Sequence, residues 1–456
     1  MSEELKQLYS FIEAASEEAT EIARQIWLNA EPAYKETFAC EYLCKAFEEK
    51  GFTVERGCAG MPTAFRAVYG SGKPVIGILT EYDALPGLSQ AVSTRKEPIP
   101  GQAAGHGCGH NLQAGAAYAT VMGLKEMLDK NNLPGTLVVY GCPAEEVITG
   151  KVFMAREGAF RELDAAFSWH SASSNIVSDG FNTTAVDNIE FHFHGKAAHA
   201  GMAWMGRSAS DAAELTAVGS NYLREHVQSN VWMHYTIDNT GNVPNIVADK
   251  SRIWYYVRST DRKNVSAATE RLKDVARGAA IMTGTELEIK FNGGCCSSAQ
   301  SKALGDLTEE VVKEIPAPVW SEEELAFAAE LNRVADEEKG IAPAADPNPA
   351  LTNDWMRPTI LCGSTDIADV SQIVPLILIQ NTGYNTKAAL HSWQITACSG
   401  HSIGFKSMMY GAQIMGAASL RLILEPERMA KVRKEFDEVH KDPYICPIPA
   451  DVKIPE

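Results

Sequence analysis

The chain changes its structural period twice, and no other feature limits the available folds as strongly. Up to about residue 185, short apolar runs at 75–79, 137–140 and 165–169 alternate with helical stretches, the pattern of an α/β body. From about Asn188 the texture differs. Ile189, Phe191 and Phe193 alternate with Glu190, His192 and His194, a period of two that suits a sheet with one wet face and leaves both histidines solvated. A helix is expected over about 208–226, then strands at 253–257 and 287–291 on either side of a helical stretch at 267–282. After Gly293 and Gly294 the α/β texture returns, with charged helical segments at 306–314 and 322–338, where Glu322 to Glu324 read as an ordinary solvated face. This order predicts an α/β domain in two parts, residues 1–186 and 298–456, interrupted by a compact α+β domain over residues 187–297.

Length agrees with that division, because 456 residues exceed what one ordinary core organises. A composition of 45% hydrophobic and 22% charged residues supplies a large core and argues against disorder. Lys and Arg number 41 against 58 Asp and Glu, and the net charge of -17 repels a phosphate backbone, so no nucleic-acid partner is expected. The Glu-rich residues 1–30 read as an amphipathic helix without the basic start, apolar middle and cleavage site of a signal peptide. No apolar run approaches the roughly 18 residues needed to cross a bilayer. A cytoplasmic protein without a membrane partner is expected, and its ten cysteines, spread from Cys40 to Cys446, are then reduced thiols. The adjacent Cys295 and Cys296 read as inert, and the Pro-, Ala- and Asn-rich segment 343–358 reads as a surface connection.

Chemistry concentrates in four places. His106-Gly107-Cys108-Gly109-His110-Asn111 sets a thiol and two imidazoles within five positions. Its glycines let the backbone turn sharply around an ion, although a glycine-rich loop with a capping histidine would look the same. Glu145 and Glu146 follow the apolar run 137–140. Adjacent carboxylates at a strand end are costly to bury unless one meets a cation and the other shares a proton. That division gives one metal ligand and one general base, and two solvated glutamates opening a helix are the plain alternative. His170, after Trp169, and His391, in Leu390-His391-Ser392-Trp393, each read alone as an ordinary core or loop histidine. Their coincidence matters, because strand-end residues of an open sheet converge on its carboxyl edge, where α/β proteins hold their sites.

Taken in order, Asp83-Ala84-Leu85-Pro86, the glycine-rich run ending His110-Asn111, Pro143-Ala144-Glu145-Glu146, Trp169-His170, Gly195-Lys196-Ala197-Ala198-His199-Ala200 and Leu390-His391-Ser392 resemble the motifs of the peptidase M20 family. The resemblance runs from about residue 20 to 425, and residues 363–371 with His391-Ser392-Trp393-Gln394 are similar to its aminobenzoyl-glutamate branch. It implies a zinc-peptidase-like catalytic domain, a mixed sheet flanked by helices, that holds two divalent metal ions, zinc or manganese. The smaller α+β domain is then a lid that dimerises. Cys108, His110, Glu146, His170 and His391 are implied as metal ligands, Cys108 standing where other branches bridge with a carboxylate, and Glu145 is implied as the base. His199 is implied as a lid residue that reaches the site of a second copy and stabilises the oxyanion. Asn245 and Arg258 are implied to hold the substrate carboxylate, a task that suits a forked guanidinium, although a surface salt bridge is the alternative for Arg258. The chain departs from the wider family at Glu81-Tyr82-Asp83, where a metal-binding His-x-Asp would stand, so Asp83 is expected to support ligands. His401, in the turn Ser399-Gly400-His401, is a weaker metal candidate than His391.

The implied activity is metal-dependent hydrolysis of the amide bond of an N-acyl amino acid, with a p-aminobenzoyl-glutamate-like compound first and a dipeptide or another N-acyl amino acid as the alternative. The expected assembly is a homodimer, and a related partner subunit is the other arrangement the resemblance allows. A binding protein that kept the fold and lost the chemistry would have lost the base or a ligand, and here all of them are present.

Overall fold

The computed structural model describes residues 2–177, 183–238, 243–299, 301–341, 349–357 and 363–455. In chain order its strands are β1 (Thr53–Arg56), β2 (Phe65–Ser71), β3 (Val75–Thr80), β4 (Leu85–Pro86), β5 (Ala104–Gly105), β6 (Gly135–Gly141), β7 (Ala165–Ala172), β8 (Asn175–Val177), β9 (Ala185–His194), β10 (Val231–Asp238), β11 (Lys250–Ser259), β12 (Glu286–Cys295), β13 (Trp355–Met356) and β14 (Leu376–Thr382).

Eight of these strands form one mixed sheet in the order β1-β2-β6-β3-β7-β14-β8-β13. Its centre, β6-β3-β7-β14, is parallel throughout. A parallel sheet is stable only with both faces covered, which explains why its strands read as continuous apolar runs. Alternate side chains of β6 divide between two cores. Leu137 and Val139 join Ile76, Phe167 and Trp169 in one, while Val138 and Tyr140 join Leu79, Phe153 and Val370 in the other. Burying each such side chain stabilises the fold by about 1.5–3 kcal/mol. The first core is closed by the helices His110–Asn131 and Ser402–Leu424, which pack on one another and on β7. Residues 1–30 form two helices, Glu3–Ala14 and Ser16–Leu28, laid on the helix His110–Asn131.

A second, antiparallel sheet lies within the chain of the first, in the order β10-β11-β9-β12. Ile189, Phe191 and Phe193 of β9 and Ile253, Tyr255 and Val257 of β11 are buried on one face, under the helices Ala209–Leu223 and Arg262–Thr283. The expected strands at 253–257 and 287–291 are therefore longer at both ends. β10 carries no sequence signal, because it is an edge strand whose residues are mostly exposed on both faces.

Two expectations need correction. His192 is not simply solvated: its Nε2 lies 2.6 Å from Oε2 of the buried Glu190, whose other oxygen meets Arg252 Nη1 at 3.2 Å. Glu324 is not on an open face. It closes a capping box with Ser321 and meets Lys406 at 2.7 Å while buried. Of the connection 343–358, residues 343–348 and 358 lie outside the described residues. Cys295 and Cys296 are buried free thiols, and no helix among the described residues is long and apolar enough to cross a membrane.

The packing of the helix Ser402–Leu424 on β7 sets a tight limit. A Cβ at Gly411 would stand 2.2 Å from the Trp169 indole, a ring that is 1% exposed and whose Nε1 donates to Asn381 Oδ1 at 2.8 Å. Alanine favours a helix over glycine by about 1 kcal/mol, but overpacking a rigid core costs typically 1–3 kcal/mol. Gly411→Ala is expected to lower the unfolding free energy by about 1–2 kcal/mol in urea denaturation. Unchanged or raised stability would show that helix and strand move apart without cost.

Candidate functional site

Three parallel strands deliver the chemistry to one sheet edge. β3 ends at Thr80 and is followed by Glu81 and Asp83; β6 ends at Gly141 and turns through Pro143 and Ala144 into Glu145 and Glu146; His170 lies within β7, near its end. Across that edge Cys108 and His110 enter at the start of the helix His110–Asn131. The preceding Gly109 is left-handed at φ 84, and a side chain there would press on Ser171. His391 comes from the loop before the helix Trp393–Ser399, with φ 55.

The donor atoms form two groups that share a sulfur. Those of Cys108, His110 and His170 lie within 4.8 Å of one another, and so do those of Cys108, Glu146 and His391. Cys108 Sγ is 3.2 Å from His170 Nε2, and His391 Nε2 is 3.4 Å from Glu146 Oε2. His110 Nδ1 lies 2.9 Å from Asp83 Oδ1, which fixes the ring and leaves Nε2 for another partner. His110 Nε2 and Glu146 Oε1 are buried without any hydrogen-bond partner. A thiol, imidazoles and a carboxylate with orphaned inward atoms are a donor set that fits divalent cations.

The electrostatics show how strongly this centre lacks positive charge. Burial, with Glu81 and Asp366 nearby, pushes the Glu145 carboxyl well above its ordinary value. Burial also raises Glu146 to about 7 and the Cys108 thiol to about 12. Burial opposes charge on His110, yet Cys108 and Asp83 outweigh it and hold that imidazole well above its usual value. His170 is lowered to about 4 by burial and by His110.

Beyond the proposed ligands and base, Glu36, Glu81, Gln113 and Lys151 hold the site in place. Glu36 is fully buried; its carboxyl accepts from the Ala144 amide at 2.8 Å and from Thr63 Oγ1 at 3.0 Å. Ala144 itself sits at φ 58. On the other side of Glu145, Asp83 Oδ2 accepts from the Glu146 amide at 2.8 Å, so Asp83 touches both a candidate ligand's ring and the candidate base's neighbour. Glu81 Oε2 lies 3.3 Å from His110 Nε2 and accepts from Gln113 Nε2 at 2.6 Å. Its Oε1 meets Lys151 Nζ at 2.5 Å, and Lys151 also meets Asp366 at 2.6 Å. Of these, Glu81 alone carries a sequence signal, as the departure from His-x-Asp. A glutamate before a helix, a helical glutamine and a helical lysine carry no pattern of burial that a single sequence discloses.

Cys108, Glu145, Glu146, His170 and His391 open into one cavity of about 370 Å³. Arg258 lines it too, with Nη1 donating to Ser364 Oγ at 2.6 Å, and it makes no salt bridge among the described residues. His199 and Asn245 do not line it. Both are exposed, His199 Nδ1 accepting from the Gly201 amide at 3.0 Å and the Asn245 carbonyl from the Ala200 amide at 2.8 Å. His401 caps the helix Ser402–Leu424 through the Ile403 amide and stacks on Phe327 at 4.3 Å, outside either donor group.

Comparison with known proteins bears on what such a site does. The sequence profile described as Peptidase family M20/M25/M40 matches residues 77–357. A p-aminobenzoyl-glutamate hydrolase chain of Escherichia coli (strain K12) is 36% identical over 479 residues, covering 98% of this chain and 99% of that one. The Xaa-Arg dipeptidase of Mus musculus is 29% identical over 440 residues, covering 93% and 90%. A solved Bacillus subtilis structure, a dinuclear metal binding peptidase from the M20 family, shares the fold with a TM-score of 0.57 at 18% identity, covering 88% of this chain and 98% of that one. With relatives matched across nearly their whole length and the family profile spanning most of the chain, the protein belongs to peptidase family M20/M25/M40 and is a hydrolase of amide bonds.

Proposed function

We propose that the protein cleaves the amide bond of an N-acyl amino acid, p-aminobenzoyl-glutamate or a near relative, as a cytoplasmic homodimer. Cys108, His110 and His170 would hold one divalent cation and Cys108, Glu146 and His391 a second, zinc or manganese. The observation that carries this reading is the pair of donor groups sharing Cys108 beside Glu145, in the same cavity as Arg258. The 36% identical Escherichia coli relative supports the substrate. Exposed Met202, Trp204 and Met205 beside His199 support the burial of that surface against a second copy.

Bound divalent cations would supply Lewis acidity, polarising the scissile carbonyl and making water acidic enough to yield a proton near neutral pH. Glu145 takes that proton and later delivers it to the leaving nitrogen; a carboxyl held above its ordinary value by burial suits both halves of the task. Glu36 and Asp83 grip the backbone amides on either side of Glu145, so its carboxyl keeps one aim during both transfers. Arg258, steadied by Ser364, takes the substrate carboxylate by a forked contact, and Asn245 assists from the lid of the second copy. His199 from that copy stabilises the developing oxyanion, a contribution of order 3 kcal/mol.

Purified protein is expected to contain two divalent ions per chain and to release free glutamate from p-aminobenzoyl-glutamate. Fewer than one ion per chain would overturn the metal assignment, and hydrolysis confined to dipeptides would overturn the substrate. Glu145→Gln should keep the fold and bound metal while turnover falls roughly a hundredfold or more. Near-normal turnover in that variant removes Glu145 from the chemistry.

The grip on the turn is tested at Glu36. Removing its acceptor strands two buried donors at about 1–3 kcal/mol each, so Glu36→Ala should lose about 2 kcal/mol or more of stability along with activity. Glu36→Gln keeps an acceptor for the Ala144 amide and should retain most of both in urea denaturation and rate assays. An equal loss in the two variants would mean that negative charge, not the acceptor, is what matters.

The lid is tested by mixing two inactive chains, His199→Ala and Glu145→Gln. If His199 serves the second copy, co-expressed heterodimers combine an intact Glu145 with an intact His199 in one of their two sites. Random pairing makes about half of the dimers mixed, so roughly a quarter of wild-type activity should return. Activity no higher than the mean of the two variants, with mixed dimers confirmed, would place His199 in its own chain's site or outside the chemistry.

A further inference from the structure

Glu81, His110 and Glu145 form a third donor group, their ligand atoms within 4.8 Å of one another, and it shares His110 with the first group, His110 Nε2 lying 3.3 Å from Glu81 Oε2 and 3.9 Å from Glu145 Oε2. A carboxylate so placed competes for the cation assigned above to Cys108, His110 and His170. If it coordinated, it would fill a position that a catalytic centre leaves open for water or substrate. Both Glu81 oxygens already have other partners. Lys151 Nζ stands 2.5 Å from Oε1, and Gln113 Nε2 donates to Oε2 at 2.6 Å. Lys151 has no exposed surface, and Asp366 anchors it twice, taking the ammonium at 2.6 Å on Oδ1 and the Lys151 amide at 2.8 Å on Oδ2. Asp366 is in turn fixed at the start of the short helix Ile367–Ser371.

We infer that Lys151 and Asp366 are positioning residues that hold the Glu81 carboxylate off the cation at His110 and so keep a coordination position free for the substrate. The inference rests on the two-cation reading above. It also accounts for Glu81 standing at a position where the wider family binds metal. A pair serving only to neutralise buried charge would stabilise the chain without affecting how the cation is coordinated.

Removing Lys151 alone strands two buried carboxylates, so the informative variant is Lys151→Met with Asp366→Asn, which deletes one charge of each sign. Wild-type and variant proteins are loaded with zinc for chelator-release kinetics and with cobalt for visible absorption, which weakens as the coordination number rises. The double variant is expected to release its ion about tenfold more slowly, to show weaker cobalt bands, and to lose about tenfold or more in kcat with a smaller change in KM. Adding Glu81→Gln to the double variant should return the cobalt spectrum and release rate to those of the wild type. Glu81→Gln in an otherwise unaltered chain should keep two ions with wild-type release.

A folded double variant with wild-type release and spectrum overturns the inference. So does loss of an ion from the Glu81→Gln protein, which decides the matter even if the double variant does not fold. Either result leaves the hydrolase reading standing as long as the wild-type chain binds two ions. A wild-type chain that binds none overturns both.

Discussion

Six carboxyl groups, Glu36, Glu81, Asp83, Glu145, Glu146 and Asp366, crowd one end of the sheet where little water reaches them, and the rest of the site is arranged around the cost of that crowding. Burying an uncompensated carboxylate is expensive, and each neighbour of like charge adds to the expense. The chain meets part of the demand itself. Backbone amides of Ala144, Glu146 and Lys151 donate to Glu36, Asp83 and Asp366, the Lys151 ammonium serves Glu81 and Asp366, and His110 lies between Asp83 and Glu81. Glu81 is consequently held at about 2, whereas burial keeps Glu36 and Glu146 near 7 and Asp366 near 6. The compensation is thus uneven, and the shortfall lies at Glu145, Glu146 and Cys108. Two divalent cations are what such a shortfall would draw in.

The fold makes the crowding tolerable by rigidity. Glu81, Asp83, Glu145, Glu146 and His170 lie at the ends of the neighbouring parallel strands β3, β6 and β7, whose registers are fixed by two cores on opposite faces. A slip of one residue would move every apolar side chain to the wrong core, so the edge cannot drift to relieve its charge. Strain is held there as well. Ala144, Ile148 and His391 all adopt left-handed backbone angles, the first two bracketing Glu145 and Glu146 and the third carrying a candidate ligand. Such angles persist where surrounding contacts over-determine them, and Glu36 on Ala144 is one of those contacts.

What a reader of the sequence sees depends on whether a residue's role is local. The glycines around Cys108 and His110 and the adjacency of Glu145 and Glu146 are local facts, and the structure brings Cys108, Glu145 and Glu146 to one cavity with the buried His110 grouped behind Cys108. The twofold change of period was equally legible, because the face of β9 and β11 under the helices is uniformly apolar. Lys151 shows the opposite case. Its burial arises from Glu81 and Asp366, 70 positions before it and 215 after it, and nothing in its own helix distinguishes it from a solvated lysine. Edge strand β10, too, was silent, since an exposed edge needs no alternation. Glu36 and Glu324 were hidden for the same reason as Lys151: a charged side chain is read as wet until the partner that removes its water is known.

The residues proposed for the lid divide in a way that follows from strand length. Arg258 lies near the end of β11, paired with Val186 at the beginning of β9, close to where the chain crosses between the two sheets. From there β9 runs on to His194, and the loop holding His199 begins beyond it, about 26 Å further along at 3.3 Å per residue. Asn245 joins His199 at that far end, through the bridge between His199 and Ile246 and the bond from the Ala200 amide. One antiparallel sheet therefore presents a cation at its near end to the cavity of its own chain and a polar pair at its far end to open space. A strand cannot fold back on itself, so residues at the two ends serve one substrate only if the far end belongs to another copy. The long strands β9 and β11 set the distance between Arg258 and the loop of His199, and the two-copy site proposed above would depend on that length.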